Sequence, residues 1–186
     1  MVITAYGKNC FKIQQGELVL VTDPEGFRGR ADIIIKTQAP ITNNQTPKTD
    51  EGFEITYPGE YEVKNVSVKG WPCLPAGRPI ANSKSVFLVE MEDFKIVILG
   101  NLADEGEIKN VQENLEDADI LFIPTAFPKL VRQLKPRLII PTFDKPQDLK
   151  VFLKELGKEN LEPQEKLTIS KKDLLPEKLI VACLKA

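Results

Sequence analysis

The sequence predicts an α+β fold in which two mixed β-sheets pack face to face with helices outside, an αββα sandwich. Three observations carry that prediction. The first half of the chain is a succession of short apolar runs broken by turn residues, the pattern of strands. From residue 103 onward such runs alternate with stretches of helical periodicity. No Pro-, Gly- or Ser-rich linker separates the halves, so one domain over residues 1–186 accounts for the whole chain.

Taken in order, residues 1–6, 10–14 and 17–22 are β-rich, with Gln15-Gly16 as the hairpin connection between the last two. Residues 32–36 contain the run Ile33-Ile34-Ile35, which suits a strand covered on both faces. Residues 37–50 are polar and aperiodic, and read as a long loop of the kind that carries function. Strands resume at 53–57, 60–63 and 66–70, punctuated by Pro58-Gly59 and Lys64-Asn65. A further hairpin, 85–92 with 94–100, turns around Asp93. Residues 103–115 read as an amphipathic helix whose acidic start, Asp104-Glu105-Gly106-Glu107, complements the helix dipole. Strand 120–124, helix 128–134 and strand 137–141 follow. In 147–156 the apolar residues Leu149, Phe152, Leu153 and Leu156 form the stripe of a helix lying on a sheet, stopped by Gly157. Residues 166–170 and 178–184 return to strand.

Composition narrows the chemistry. Twenty-five basic and 27 acidic residues give a net charge of −2, and there is no histidine. That removes the commonest metal ligand and general base, and with them Ser-His, Cys-His and His-rich zinc arrangements. Cys10, Cys73 and Cys183 are far apart and form no CxxC pair, so reduced, buried thiols in a cytoplasmic protein are expected. Scattered basic residues argue against nucleic-acid binding. No apolar run approaches the roughly 18 residues of a membrane span, so no membrane association is expected.

Several strings line up, in order, with a known family. Ala5-Tyr6-Gly7-Lys8-Asn9-Cys10-Phe11 resembles the G-H-S-C-F opening of small metallo-β-lactamase-fold hydrolases, and Val21-Thr22-Asp23-Pro24 resembles their I-D-P. Residues 31–37 look like the strand that delivers their metal-binding loop. Tyr57-Pro58-Gly59-Glu60-Tyr61-Glu62-Val63 is similar to the P-G-E-Y-E of the branch containing the ascorbate-6-phosphate-lactonase-like proteins. Leu99-Gly100, Leu134-Lys135-Pro136 and Ile139-Ile140-Pro141 complete the series.

The resemblance implies hydrolysis of ester, lactone, amide or phosphodiester bonds at one or two metal ions, held by H-x-H-x-D-H, a later His, a G-D aspartate and a final His. Such ligands hold zinc while leaving a position open for an acidified water. Carried over, the H-x-H-x-D-H loop falls on Gln38, Pro40, Thr42 and Asn43. The later His falls on or beside Pro75, the aspartate on Asn101 and the final His on Phe143. None of these side chains is a metal ligand of the family. The implied site is therefore neutral and metal-free, and no cofactor is expected.

The remaining candidates are sparse. Gln38, Thr42, Asn43 and Asn101 would either form a neutral hydrogen-bonding pocket or satisfy loop backbone. Cys73 is the candidate nucleophile for a non-standard hydrolase site, with only Lys8, Lys145 or a helix terminus to lower its pKa. Asp23 and Asp144 either hold a hard cation such as Mg²⁺ or fill backbone-bonded and exposed roles. Cys10 and Cys183 read as core. The expected function is a catalytically inactive pseudoenzyme that binds a small ligand or protein partner and can self-associate as a homo-oligomer. The alternatives are a hydrolase of the superfamily using a non-standard site, or a subunit whose partner supplies the chemistry.

Overall fold

The computed structural model describes residues 1–38, 52–73, 84–102, 104–159, 161–175 and 178–185. The first sheet contains β1 (Val2–Ala5), β2 (Phe11–Gln15), β3 (Leu18–Thr22), β4 (Ile33–Ile35), β5 (Phe53–Ile55) and β12 (Lys166–Thr168), in the order β12-β1-β2-β3-β4-β5. The second contains β6 (Gly59–Val63), β7 (Val66–Cys73), β8 (Lys84–Met91), β9 (Phe94–Ile98), β10 (Ile120–Pro124), β11 (Leu138–Thr142) and β13 (Ile180–Val181), in the order β13-β11-β10-β9-β8-β7-β6. Both are mixed, as expected: β3, β4 and β5 run parallel, as do β9, β10, β11 and β13.

Alternation along each strand assigns its two faces. Leu20, Ile33 and Ile35 of the first sheet meet Phe87, Val89, Ile96, Phe122 and Ile140 of the second in a shared core. The rings of Phe11 and Phe122 are 4.7 Å apart across this layer. The intervening residues Val86, Leu88, Val97, Leu121, Ile123 and Ile139 face the other way. There they meet the buried stripes of α1 (Pro128–Leu134) and α2 (Pro146–Glu155). On the outer face of the first sheet, Val19, Val21 and Ile34 are covered by Phe27, Ala31 and Cys10 from loops. Both α-helices among the described residues thus pack on the second sheet.

Most turns match the sequence reading. Lys64 and Asn65 both have φ in the left-handed region, 51° and 62°, and join β6 to β7 as a two-residue hairpin loop. The β2–β3 loop falls one residue later than expected, at Gly16-Glu17, because Gln15 still pairs with Leu18 and Gly16 supplies the positive φ. One helix is corrected. In place of an α-helix over 103–115 there are two 3-10 turns, Glu105–Ile108 and Gln112–Leu115. Ile108 and Leu115 are buried at the expected spacing, but Gly106, Asn110 and Asn114 are poor helix formers, and Asp104 Oδ1 accepts from the Gly106 amide at 2.6 Å to close a tighter turn.

Candidate functional site

Parallel strands bring their carboxyl ends to one edge of a sheet, where loops diverge and leave a crevice. Here those ends are Gly100-Asn101 after β9, Thr125 after β10 and Thr142-Phe143 at β11. Three segments of the first sheet reach the same edge: the β1–β2 loop with Lys8 and Asn9, Asp23 after β3, and Thr37 after β4. Asn9 Nδ2 donates to Asn101 Oδ1 at 2.7 Å, and Lys8 Nζ donates to Asp144 Oδ2 at 2.6 Å. Both bonds cross from one sheet to the other.

Asp23 organises the first-sheet side. Its φ is 36°, and its carboxyl accepts from the Thr37 backbone N–H at 2.7 Å and from Thr37 Oγ1 at 2.6 Å. Burial pushes the Asp23 carboxyl up to about 6, against the lowering effect of the Thr37 hydrogen bonds, with Glu25 adding a further upward push. Thr37 is fully buried against Gly100, where an added Cβ would lie 2.3 Å from Thr37 Oγ1. Glycine at 100 is therefore required by close approach as well as by its φ of 57°.

Two cavities open at this edge. The smaller, about 230 Å³, is lined by Asn9, Cys10, Asp23, Glu25 and Asn101. The larger, about 450 Å³, is lined by Leu102, Thr125, Thr142, Phe143, Asp144 and Asp148. Lys8 lines both.

The candidates from the sequence separate accordingly. Lys8, Asp23 and Asn101 meet around the smaller cavity, and Lys8, Phe143 and Asp144 around the larger. Phe143 also packs against the core beneath the helices. Gln38 is exposed, forms an isolated bridge with Lys84 and lines neither cavity. Lys145 is exposed at the start of α2. Pro40, Thr42, Asn43 and Pro75 lie outside the described residues.

Cys73 is 1% exposed, and its thiol is pushed up to about 12 by burial and then by Glu107. It lines neither cavity, and Lys8 is engaged by Asp144. These are the conditions of an inert core thiol rather than of a nucleophile. Cys10 and Cys183 are likewise buried and free, although Cys10 also reaches the smaller cavity. Asp23 and Asp144 line different cavities and each is occupied by a protein partner.

Asn9, Glu25, Thr37 and Thr142 were not singled out by sequence. The signal for Thr37 was faint: a hydroxyl residue directly after the three isoleucines. Asn9 stood within the opening string but its side chain had no predicted partner.

Residues 2–143 match the model of the β-lactamase superfamily domain. The chain belongs to this family. Solved members of the metallo-β-lactamase fold share its architecture. A protein of Thermotoga maritima, described provisionally as a Zn-dependent hydrolase of the metallo-β-lactamase superfamily, superposes with a TM-score of 0.72 at 22% identity, covering 99% of each chain. Igni18, described as a metallo hydrolase of Ignicoccus hospitalis, gives 0.61 at 14% identity over 91% of this chain and 98% of its own. An isothiocyanate hydrolase from Delia radicum gut bacteria gives 0.64 at 12% identity over 91% of this chain and 100% of its own. None of the curated proteins matches the chain. These identities establish the fold; chemistry has to come from the site.

Among the described residues, the side chains at this edge do not make a set that fits a zinc ion such as the one named for the Thermotoga maritima protein. Among the described residues no group of three or more His, Cys, Asp or Glu side chains could hold one. Asn101 offers a neutral amide already bonded to Asn9, and Phe143 offers no donor atom. No helix of the described residues is long and apolar enough to cross a membrane.

Proposed function

We propose that the protein is a metal-independent, non-hydrolytic member of the superfamily, a pseudoenzyme that binds a ligand through the remodelled cleft. The observation that carries this reading is the pair Asn9–Asn101. At the position the resemblance gives to a bridging aspartate stands a neutral amide, held by a second neutral amide at 2.7 Å. A chain without histidine has no imidazole to complete a metal centre around it. On the first-sheet side of the cleft, the Asp23 carboxyl group is held by two hydrogen bonds from Thr37. The resemblance of the string 57–63 to the ascorbate-6-phosphate-lactonase-like branch supports a scaffold shared with that branch. A cytoplasmic setting agrees with three free, buried cysteines.

The test is a screen of lactone, ester, phosphodiester and amide substrates with untagged protein, with added Zn²⁺, Mn²⁺ or Fe²⁺ and with chelator. No turnover above the uncatalysed rate is expected in any condition. Chelator-sensitive turnover would overturn the reading. Chelator-insensitive turnover would point instead to a hydrolase with a non-standard site.

A further inference from the structure

Helix α2 carries a second surface that the cleft does not use. Its residues Leu149, Lys150, Leu153 and Lys154 line a groove of about 550 Å³ that shares no residue with either cleft cavity. Positions 149 and 153, like 150 and 154, are one turn apart, so the leucines form one row and the lysines the next. The opposite wall comes from the segment after the helix, with Glu159 and Leu161. The groove is therefore apolar along its floor, basic on one rim and acidic on the other.

Both walls are held in place. Gly157, with a φ of 64°, ends α2, and the Lys158 N–H donates to the Leu153 carbonyl at 2.9 Å. Beyond Leu161, Gln164 is tied to the carboxyl-terminal segment: its N–H donates to the Cys183 carbonyl at 2.8 Å, and its carbonyl accepts from the Lys185 N–H at 3.0 Å. The chain that forms the far wall is anchored at both ends, so the groove exists without rearrangement.

Two features indicate what covers it. Leu161 is 37% exposed at the lip, whereas the floor leucines are each 5% exposed, so one copy presents both an apolar projection and an apolar recess. The charges beside them are unmatched within the chain: among the described residues Lys150, Lys154, Glu159 and Glu162 form no ion pair. Opposite charges on the two rims of one patch are what a two-fold contact requires, because it sets residue i of one copy against residue j of the other and j against i. A small anion would also meet Glu159, and a small cation would meet both lysines. A second copy, turned about an axis running along the groove, sets each basic rim against an acidic one.

We propose that this groove is the contact surface of a two-fold homodimer. Leu161 of each copy packs over the Leu149 and Leu153 floor of the other, and Lys150 and Lys154 of each face Glu159 and Glu162 of the other. Asp148 and Val151 of the same helix line the larger cleft cavity, so the contact and the cleft use different residues of α2. The dimer is independent of whether the cleft hydrolyses a substrate.

Sedimentation velocity of the full chain between about 5 μM and 1 mM tests it. Wild type is expected to move from monomer towards dimer over that range. Raising sodium chloride from about 0.05 to 0.5 M should weaken association about tenfold, because rim ion pairs are screened. Leu161→Ser, at an exposed site, should keep its melting temperature and weaken association at least about tenfold. Charge reversal gives the sharpest comparison. Lys150→Glu/Lys154→Glu and Glu159→Lys/Glu162→Lys should each be monomeric alone and should form a mixed dimer when combined, because an all-acidic patch then meets an all-basic one.

Wild type that stays monomeric up to about 1 mM would overturn the proposal. So would a dimer that survives Leu161→Ser and both charge reversals, or failure of the two reversed variants to associate when mixed. If wild type is monomeric, chemical-shift changes at Lys150 and Lys154 on adding dodecanoate would assign the groove to a small anionic amphiphile instead.

Discussion

Thr37 donates to Asp23 twice, through its backbone N–H at 2.7 Å and its hydroxyl at 2.6 Å, and this pair fixes the exit of β4. The Asp23 carboxyl is raised from 3.8 to about 6, chiefly by burial, with Glu25 raising it further and Thr37 and Lys36 lowering it. A carboxyl whose pKa is higher folded than unfolded binds more protons in the folded state. Its contribution to stability is fully present below about pH 4 and is lost as pH rises through about 6. Urea unfolding between pH 4 and 7 should therefore show wild type losing about 2–3 kcal/mol relative to Asp23→Asn over that window. Parallel pH profiles for the two proteins would show that Asp23 does not titrate as its surroundings require.

Gly100→Ala should be costly for two independent reasons. Its φ of 57° disfavours a side chain, and the new Cβ would overlap Thr37, which is fully buried and cannot withdraw. A loss of about 2–4 kcal/mol is expected in chemical denaturation. In a Thr37→Ala background the same substitution should cost less; an unchanged cost would assign the whole effect to backbone strain.

Asp119 clamps the second sheet. Its side chain, 4% exposed, accepts from the Lys95 backbone N–H at 2.8 Å and from Arg137 at 2.9 Å, and it also pairs with Lys171. Asp119→Ala removes the acceptor of a strand N–H and of Arg137, and the carboxylate partner of Lys171, which keeps the Asp93 carbonyl. We expect a loss of about 3 kcal/mol in urea unfolding. A loss below about 1 kcal/mol would mean water replaces the carboxylate, as for an ordinary surface pair.

The cysteines offer a chemical check on burial. Cys10 and Cys73 are pushed up to about 12 and Cys183 to about 11, in each case chiefly by burial, so all three are protonated at neutral pH. Iodoacetamide at pH 7.5 should leave native protein unlabelled and modify all three thiols in guanidinium. Fast, selective labelling of Cys73 in the native state would revive it as a nucleophile.

The fold was legible because it is written locally. The isoleucines at 33–35, the Lys64-Asn65 turn and the apolar stripe of α2 each declare their element within a few residues, and alternation assigns the faces. The stretch 103–115 failed because its apolar spacing fits an α-helix while Gly106, Asn110 and Asn114 do not, and spacing alone does not weigh that cost. The site was legible only in part. Asn101 and Phe143 were located by their strings, but Asn9 bonds a residue 92 positions away on the other sheet and Thr37 one 14 positions away at the end of a neighbouring strand, and nothing local marks such pairings. Cys73 was a candidate nucleophile only because the resemblance brings Trp71-Pro72-Cys73 towards the cleft, whereas β7 turns its side chain into the core shared with the helices.

The central claim is that this cleft does not hold the metals of its relatives. Metal analysis by inductively coupled plasma mass spectrometry, on untagged protein grown with supplemented zinc, manganese and iron, tests it most directly. The account predicts far less than one equivalent of any of the three, and thermal stability unchanged by chelator. One or two equivalents of zinc, manganese or iron per chain, with stability that falls on chelation, would contradict it.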